Sequence, residues 1–175
     1  MDKDARRSFI TPWVGLTHLV LKLDRLFPES KTFAKYWYGY ESPDKVHEVD
    51  VIQGAYFLTT KKVLDEVDWF DEDYFLDGED IDICWKIKKT GMKIMYYPKV
   101  SIIHVKGASK GKKNNKDTNV TKKEKVKFRT QGVRSMEIFY RKRMWDQYPL
   151  ILNYLVIVGI RGMLAIRLVS TYLLG

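Results

Sequence analysis

The sequence contains a single cysteine, Cys84, among its 175 residues. One thiol excludes an internal disulfide and a cysteine-rich zinc site, and it is typical of a protein in a reducing compartment. The N-terminus, MDKDARRSFITPW, lacks the apolar run of a secretory signal. No stretch reaches the about 18 uninterrupted apolar residues that mark a membrane-spanning helix. These absences favour a cytoplasmic protein.

The composition is that of a folded domain. Hydrophobic residues make up 45% of the chain and aromatic residues 14%, which is ample for a core and argues against disorder. A chain of this length corresponds to one ordinary domain or to part of a larger one.

The net charge of +9 is concentrated in one segment. Residues 106–129 contain nine Lys and one Arg against Asp117 and Glu124, an excess of eight positive charges. A charge run of this kind is usually a solvated loop. It could instead contact phosphates or anionic lipid heads, for which Lys106, Lys110, Lys112 and Lys113 are the candidates. Nucleic acid is a weaker alternative, because only Phe128 could stack on a base.

Hydrophobic spacing predicts the order of the elements. Helices are predicted at 17–27, 61–70, roughly 79–90 with Gly91 as the C-cap, around 130–146 and after Pro149. A strand is predicted at 49–60, with a close backbone approach at Gly54, and extended chain at 93–105.

The helix that begins near residue 79 starts with an acidic pair, Glu79 and Asp80. At about 100° per residue, Asp80 lies within the apolar arc, whereas Glu79 and Asp82 lie on an arc expected to face solvent. A carboxylate among apolar residues is costly unless something compensates for its burial. Two interpretations are compatible: a capping box with Asp77 as the N-cap, or a general base held at the mouth of a helix.

His104 is a second candidate. Alternation in KVSIIH places Val100, Ile102 and His104 on one face of a predicted strand. A lone histidine at the end of an apolar strand is more often a packed or surface residue than a ligand. Neither His18 nor His47 completes a metal-binding spacing with it.

Taken together, residues 46–110 resemble the C-terminal catalytic half of family-2 inverting glycosyltransferases, especially the rhamnosyltransferase-like branch of cell-envelope enzymes. The resemblance rests on features in a fixed order, with weaker echoes in RRSFITPW and RSMEIFYRKRMW. The features are Gly54-Ala55, Phe70-Asp71-Glu72, Tyr74-Phe75, Glu79-Asp80 with Asp82, Gly91, Tyr97-Pro98, His104, Gly107 and Ser109.

The resemblance implies a role for each matching residue. Asp80 corresponds to the catalytic base and Glu79 to its supporting neighbour, while Gly54, Ala55 and Asp82 line the acceptor side of the cleft. His104 corresponds to a ligand of the divalent metal, manganese or magnesium, on the diphosphate of the nucleotide-sugar donor. The implied fold is α/β: a partial GT-A, Rossmann-like domain with a short mixed sheet, flanking helices and C-terminal amphipathic helices.

The nucleotide-binding half of such enzymes, which ends in a DxD metal motif, is not evident. The acidic triplets at 2–4, 71–73 and 80–82 do not follow a buried strand. The sequence therefore predicts an acceptor-side part at residues 1–130 and a helical region at 131–175. Activity is expected to require the donor-binding half. The expected protein partner is that half or a second copy of the chain.

The C-terminal stretch, residues 148–175, is strongly apolar but contains Asn153, Arg161 and Arg167. Its spacing allows three interpretations: a helix lying in a membrane interface, a helix packed on its own domain or a dimer partner, and a membrane span. With the basic segment, it predicts peripheral attachment to the anionic inner face of the cell membrane, where a glycan or lipid-linked acceptor would be met. A non-catalytic basic module that binds membrane or nucleic acid is the alternative function.

Overall fold

The computed structural model of the protein describes residues 5–104 and 121–174. Within it the chain forms two compact units. The first comprises Met1–Asp71 and Glu79–Ile102, and the second comprises Glu72–Gly78 and Ile103–Gly175. The predicted division at residue 130 stays a prediction, although a continuous helix crosses that position.

The first unit contains short strands and helices. In chain order they are β1 (Arg6–Arg7), α1 (Pro12–Val14), a π-helical turn (Gly15–Val20), α2 (Leu23–Leu26), β2 (His47–Val49), β3 (Val51–Ile52), a 3₁₀ turn (Gly54–Tyr56), α3 (Lys61–Glu66), α4 (Glu79–Lys89) and β4 (Ile94–Tyr96).

The strands of the described residues form two antiparallel pairs. β1 pairs with β3, with Arg7 opposite Val51, and β2 pairs with β4, with His47 opposite Tyr96. The α/β class is confirmed, whereas the sheet in the described part of the chain is antiparallel rather than mixed. β3 and β4 pack on α4. The core of the unit includes Val49, Val51, Ile83, Ile87 and Ile94, each at most 5% exposed.

Three predicted elements are shorter than expected. The strand predicted at 49–60 ends at Ile52, because the Gly54 N–H donates to a side chain of α4 and has no strand partner. The helix predicted at 17–27 is interrupted at Lys22, whose φ is +52°. The helix predicted at 61–70 ends at Glu66, and left-handed backbone follows at Asp68 and Trp69.

The helix predicted near residue 79 is confirmed as α4, Glu79–Lys89. The chain leaves it through Gly91, whose φ of +87° is the left-handed conformation that favours glycine after a helix. The burial of Ile83, Cys84 and Ile87 defines the inward side. By the helical period Asp80 shares that side, as the sequence predicted.

The second unit consists mainly of two long helices. α5 (Lys122–Phe139) continues through a π-helical turn (Tyr140–Met144) and a 3₁₀ turn (Trp145–Gln147) to α6 (Leu150–Leu174). A capping box between Thr121 and Glu124 begins α5. The last part of the predicted loop at 106–129 is therefore helical from Lys122 onwards. The prediction rested on the density of charge and did not consider the capping box.

The two long helices pack against each other along most of their length. Arg161 of α6 lies 2.9 Å from Glu137 of α5, and Arg167 donates to the carbonyl of Arg129 at 3.3 Å. Asn153 accepts a hydrogen bond from Tyr140 at 2.7 Å. Since the partner number falls along α5 as the residue number rises along α6, the helices are antiparallel. Of the predicted alternatives, packing on its own domain holds for one side of α6.

Candidate active site

A pocket of about 270 Å³ opens at the N-terminal end of α4 in the first unit. It is lined by Gly54, Phe57, Phe70, Glu79 and Asp80. Three of the five were predicted from the sequence: Gly54, Glu79 and Asp80. The fold thus brings the end of β3 and the acidic pair of α4 to one concave surface. A pocket with few polar groups among apolar ones is the usual form of a small-molecule site.

The Asp80 carboxylate accepts three hydrogen bonds at the pocket. Its Oδ2 accepts hydrogen bonds from the Arg7 guanidinium at 2.8 Å and from the Gly54 N–H at 3.2 Å. Its Oδ1 accepts the Ile81 N–H in the first turn of α4 at 2.8 Å. Each carboxylate oxygen has two lone pairs. Both lone pairs of Oδ2 are therefore engaged by described donors, while Oδ1 retains one for a further partner.

Both sequence interpretations of Asp80, the capping box with Asp77 and the general base, stay predictions. The bond to Ile81 stabilises the helix start, as a residue near an N-terminus should. The carboxylate nevertheless lines the pocket, and its side chain is 13% exposed. A side chain can therefore serve the helix and still face a ligand.

Arg7 is the site residue that the sequence reasoning missed. It belongs to β1, and the pairing of Arg7 with Val51 places it next to the strand that leads to Gly54. Its side chain is 16% exposed, and an arginine at this depth is expected to have a charged or polar partner. The signal that could have found it was the basic pair at the start of RRSFITPW, a segment noted only for its resemblance.

Phe57 and Phe70 supply the apolar wall of the pocket. Phe70 is 48% exposed and follows two left-handed residues, Asp68 at φ +54° and Trp69 at φ +47°. The ammonium of Lys86 on α4 donates to the carbonyls of both of these residues, at 3.1 Å for Asp68. Lys86 therefore ties the bend before Phe70 to the same helix that carries Asp80.

The charges near α4 are arranged in pairs. Lys88 lies 2.8 Å from Glu48 and 3.2 Å from Asp50. The hydrogen bond from Lys88 holds the pKa of the Glu48 carboxyl below its usual value. Burial raises the pKa of the Cys84 thiol to about 12, so that this thiol stays protonated and unreactive at neutral pH.

Asp82 differs from its prediction. The wheel placed it on a solvent-facing arc, which is wrong because Asp82 is fully buried, whereas its acceptor-side role stays a prediction. Its position on the wheel is away from Ile83 and Ile87, so the first turn of α4 is covered on more than one side. A single apolar stripe cannot encode such burial. Ala55 lies in the 3₁₀ turn that begins at Gly54 and is exposed.

His104 does not close a strand. Residues 97–104 form neither strand nor helix, and Ile103 beside it is 95% exposed. The alternation in KVSIIH was therefore misleading, because no neighbouring strand in the described chain pairs with it. Across residues 5–104 and 121–174, no three His, Cys, Asp or Glu side chains are grouped so that they could hold a metal ion. The donor set described here thus does not fit a self-contained metal site, and a metal role for His104 stays a prediction.

The structure describes only the last part of the basic segment, residues 121–129. Lys106, Lys110, Lys112 and Lys113 lie outside the described residues, so their proposed contacts with phosphates or lipid heads stay predictions.

The contacts of Asp80 are those of a proton-accepting site. A carboxylate oriented by a guanidinium and two backbone amides, next to a partly apolar pocket, can accept a proton from a bound hydroxyl group. A family model described as "Glycosyltransferase like family 2" matches residues 33–134.

Since this match covers more than half of the chain, the protein belongs to glycosyltransferase family 2 and is a transferase. The matched residues include the whole pocket. No curated protein and no solved structure matches the chain.

Proposed function

We propose that this chain carries the acceptor side of an inverting glycosyltransferase and that Asp80 is its general base. The observation that supports the proposal is the position of Asp80 in the pocket of a family-2 domain, with one oxygen engaged by Arg7 and Gly54 and a lone pair left on the other. Oδ1 is the atom that we assign to the acceptor hydroxyl.

The reaction is a single in-line displacement. Oδ1 of Asp80 takes the proton of the acceptor hydroxyl. The hydroxyl oxygen of the acceptor attacks the anomeric carbon of the donor sugar at the same time. The bond between that carbon and the diphosphate oxygen breaks, and the nucleoside diphosphate leaves with the electron pair. The configuration at the anomeric carbon inverts, and the proton remains on Asp80 until the product departs. A positioned base contributes about 10²–10⁴ to the rate of such a step.

The other pocket residues have positioning roles in this scheme. Arg7 and the Gly54 N–H restrain the carboxylate, and a restrained base needs less reorganisation in the transition state. Phe57 and Phe70 offer an apolar surface for the carbon-bound hydrogens of a sugar ring. Glu79, at the rim of the same pocket, is placed to contact another hydroxyl of the acceptor.

The donor must be held by further groups. No DxD triplet follows a buried strand in the sequence, so we propose that the nucleotide and its metal are bound by a nucleotide-binding half outside these residues. The acceptor is proposed to be a cell-envelope glycan or a lipid-linked sugar, with a rhamnosyl or other hexosyl group transferred.

The proposal is tested by sugar transfer in cells that lack the chain and are complemented with variants. Asp80→Asn should lose incorporation into the glycan or lipid-linked fraction, while Glu79→Gln should reduce it less. If no variant of the pocket changes incorporation and wild type does not restore it, the domain is a non-catalytic module.

A further inference from the structure

The exposed side of α6 is almost entirely apolar. Nine of its large hydrophobic side chains are between 56% and 79% exposed: Leu150, Ile151, Tyr154, Leu155, Val158, Ile166, Val169, Tyr172 and Leu173. At about 100° per residue they cover an arc of roughly 160° along the whole helix. An apolar surface this continuous marks an interaction site.

The polar side chains of α6 face α5 or lie at the edge of that arc. Asn153 is fully buried and donates to the carbonyls of Trp145 and Tyr148, at 2.8 and 3.1 Å. Thr171 is 2% exposed, and Arg161 is paired with Glu137. The inner side of α6 therefore carries polar groups together with the buried Ile157 and Ile160, while its outer side is apolar, unlike that of a helix whose outer side faces water.

We infer that the exposed face of α6 lies in the plane of an anionic membrane, half immersed, with α5 above it on the aqueous side. By length and composition Leu150–Leu173 could also cross a bilayer, the one such helix in the described chain. The neighbouring helix decides between the two arrangements.

α5 excludes a simple span. The contacts that α5 and the π-helical turn continuing it make with α6 run from Asn153 to Arg167, a distance of about 21 Å at 1.5 Å per residue. α5 carries exposed Lys123, Lys127 and Arg134. A spanning α6 would draw these cations towards the hydrocarbon, where Lys and Arg are among the costliest residues. With α6 lying flat, the same cations stay in water.

Charge and aromatic groups near the start of α6 favour an anionic lipid surface over a second copy of the chain. Arg141, Lys142 and Arg143 lie in the π-helical turn before it, where Arg141 is paired with Glu137 and Lys142 with Asp73. Trp145 contacts Tyr154 edge-on at 5.8 Å, and the Arg141 guanidinium lies 5.2 Å above the Trp145 ring. Basic residues beside Trp and Tyr are typical of a membrane interface, whereas the net charge of +9 disfavours association with an identical chain.

The inference deepens the proposed function, since it names the surface on which a lipid-linked acceptor would be met, and it rests on that proposal only in this respect. Its test contains no transfer step, so the two can fail separately.

The experiment uses environment-sensitive fluorophores on single cysteines in the full chain with Cys84→Ser. Labels are placed at Ile151→Cys, Val158→Cys and Ile166→Cys, with Arg134→Cys on α5 as the matched control. Vesicles of phosphatidylcholine with phosphatidylglycerol, or of phosphatidylcholine alone, are then added, and the depth of each label is measured with lipid-borne quenchers.

The in-plane arrangement predicts a blue shift of all three α6 labels at similar shallow depth, stronger with phosphatidylglycerol, and none at Arg134. A graded depth with Val158 deepest would show a span and overturn the inference. A shift without vesicles that depends on protein concentration would show that a second copy covers this face. The absence of a shift in every condition would show that the face stays in water. Either result also overturns the inference.

A second pair of variants guards against effects of the label. Val158→Glu places a charge in the centre of the exposed face and should abolish flotation with anionic vesicles, while Arg134→Glu should retain most of it. Circular dichroism verifies that both remain helical. Flotation of Val158→Glu equal to wild type would contradict the inference.

Discussion

The contact between Arg7 and Asp80 gives the most direct structural prediction about the site. Both side chains are largely buried, at 16% and 13% exposure, and their nearest atoms are 2.8 Å apart. A hydrogen bond to a charged group contributes about 1.5–3 kcal/mol, and a shielded pair belongs within that range. We therefore expect Arg7→Met to lower the free energy of unfolding by about 2 kcal/mol. For a chain of this size the melting temperature should fall by about 4–8 °C.

The assay is a double-mutant cycle on the full chain with Arg7→Met, Asp80→Asn and the double variant, read by denaturant unfolding. Because either change removes the same ion pair, the double variant should be more stable than the sum of the single effects implies, by about 1.5 kcal/mol.

Arg6→Met is the matched control, since Arg6 lies on the same strand but donates to the Glu41 carbonyl and contacts His47. Its effect should add to that of Asp80→Asn. Additivity within about 0.5 kcal/mol for Arg7 as well would refute the reasoning.

Three further predictions follow from individual contacts. Because burial raises the pKa of Cys84 to about 12, maleimide should label it near neutral pH only after unfolding, and stoichiometric labelling of the folded chain would contradict this. The hydrogen bond from Arg161 lowers the pKa of Glu137 in the folded state, so its stabilisation is present above the unfolded value and lost as pH falls through the folded one. The difference in melting temperature between wild type and Arg161→Met should therefore shrink as the pH falls below the unfolded carboxyl pKa and vanish below the folded one, and a constant difference would exclude the pair as its cause. Lys86→Met should destabilise the chain by about 1 kcal/mol and make the bend after α3 easier to cleave with chymotrypsin, unlike exposed Lys89→Met.

The sequence predicted the features that depend on local chemistry. α4 was recognised because its apolar period, acidic first turn and following Gly91 all indicate the same helix. The inward position of Asp80 came from the same period. A close backbone approach was predicted at Gly54, but a Cβ added there would lie at an ordinary 3.5 Å from the Asp80 Cβ, and the Gly54 N–H donates to the Asp80 carboxylate instead.

The features that failed depend on contacts between distant parts of the chain. The pairing of Arg7 with Asp80 spans 73 positions, and no local pattern encodes it. Asp82 was misplaced because a helical wheel assumes one buried side. His104 was assigned to a strand on alternation alone, although a strand also needs a partner. For residues 148–175, the sequence left three interpretations open, because Asn153, Arg161 and Arg167 make contacts with residues 13 to 38 positions away.

The measurement that tests the central claim most directly is sugar transfer by Asp80→Asn in complemented cells that otherwise lack the chain, at equal protein level. We predict that incorporation falls by about 10²–10⁴-fold, as expected when a general base is removed. Glu79→Gln in the same pocket should stay within about tenfold of wild type, and a folded Asp80→Asn chain should still bind anionic vesicles. Near-normal transfer by Asp80→Asn would contradict its assignment as the base.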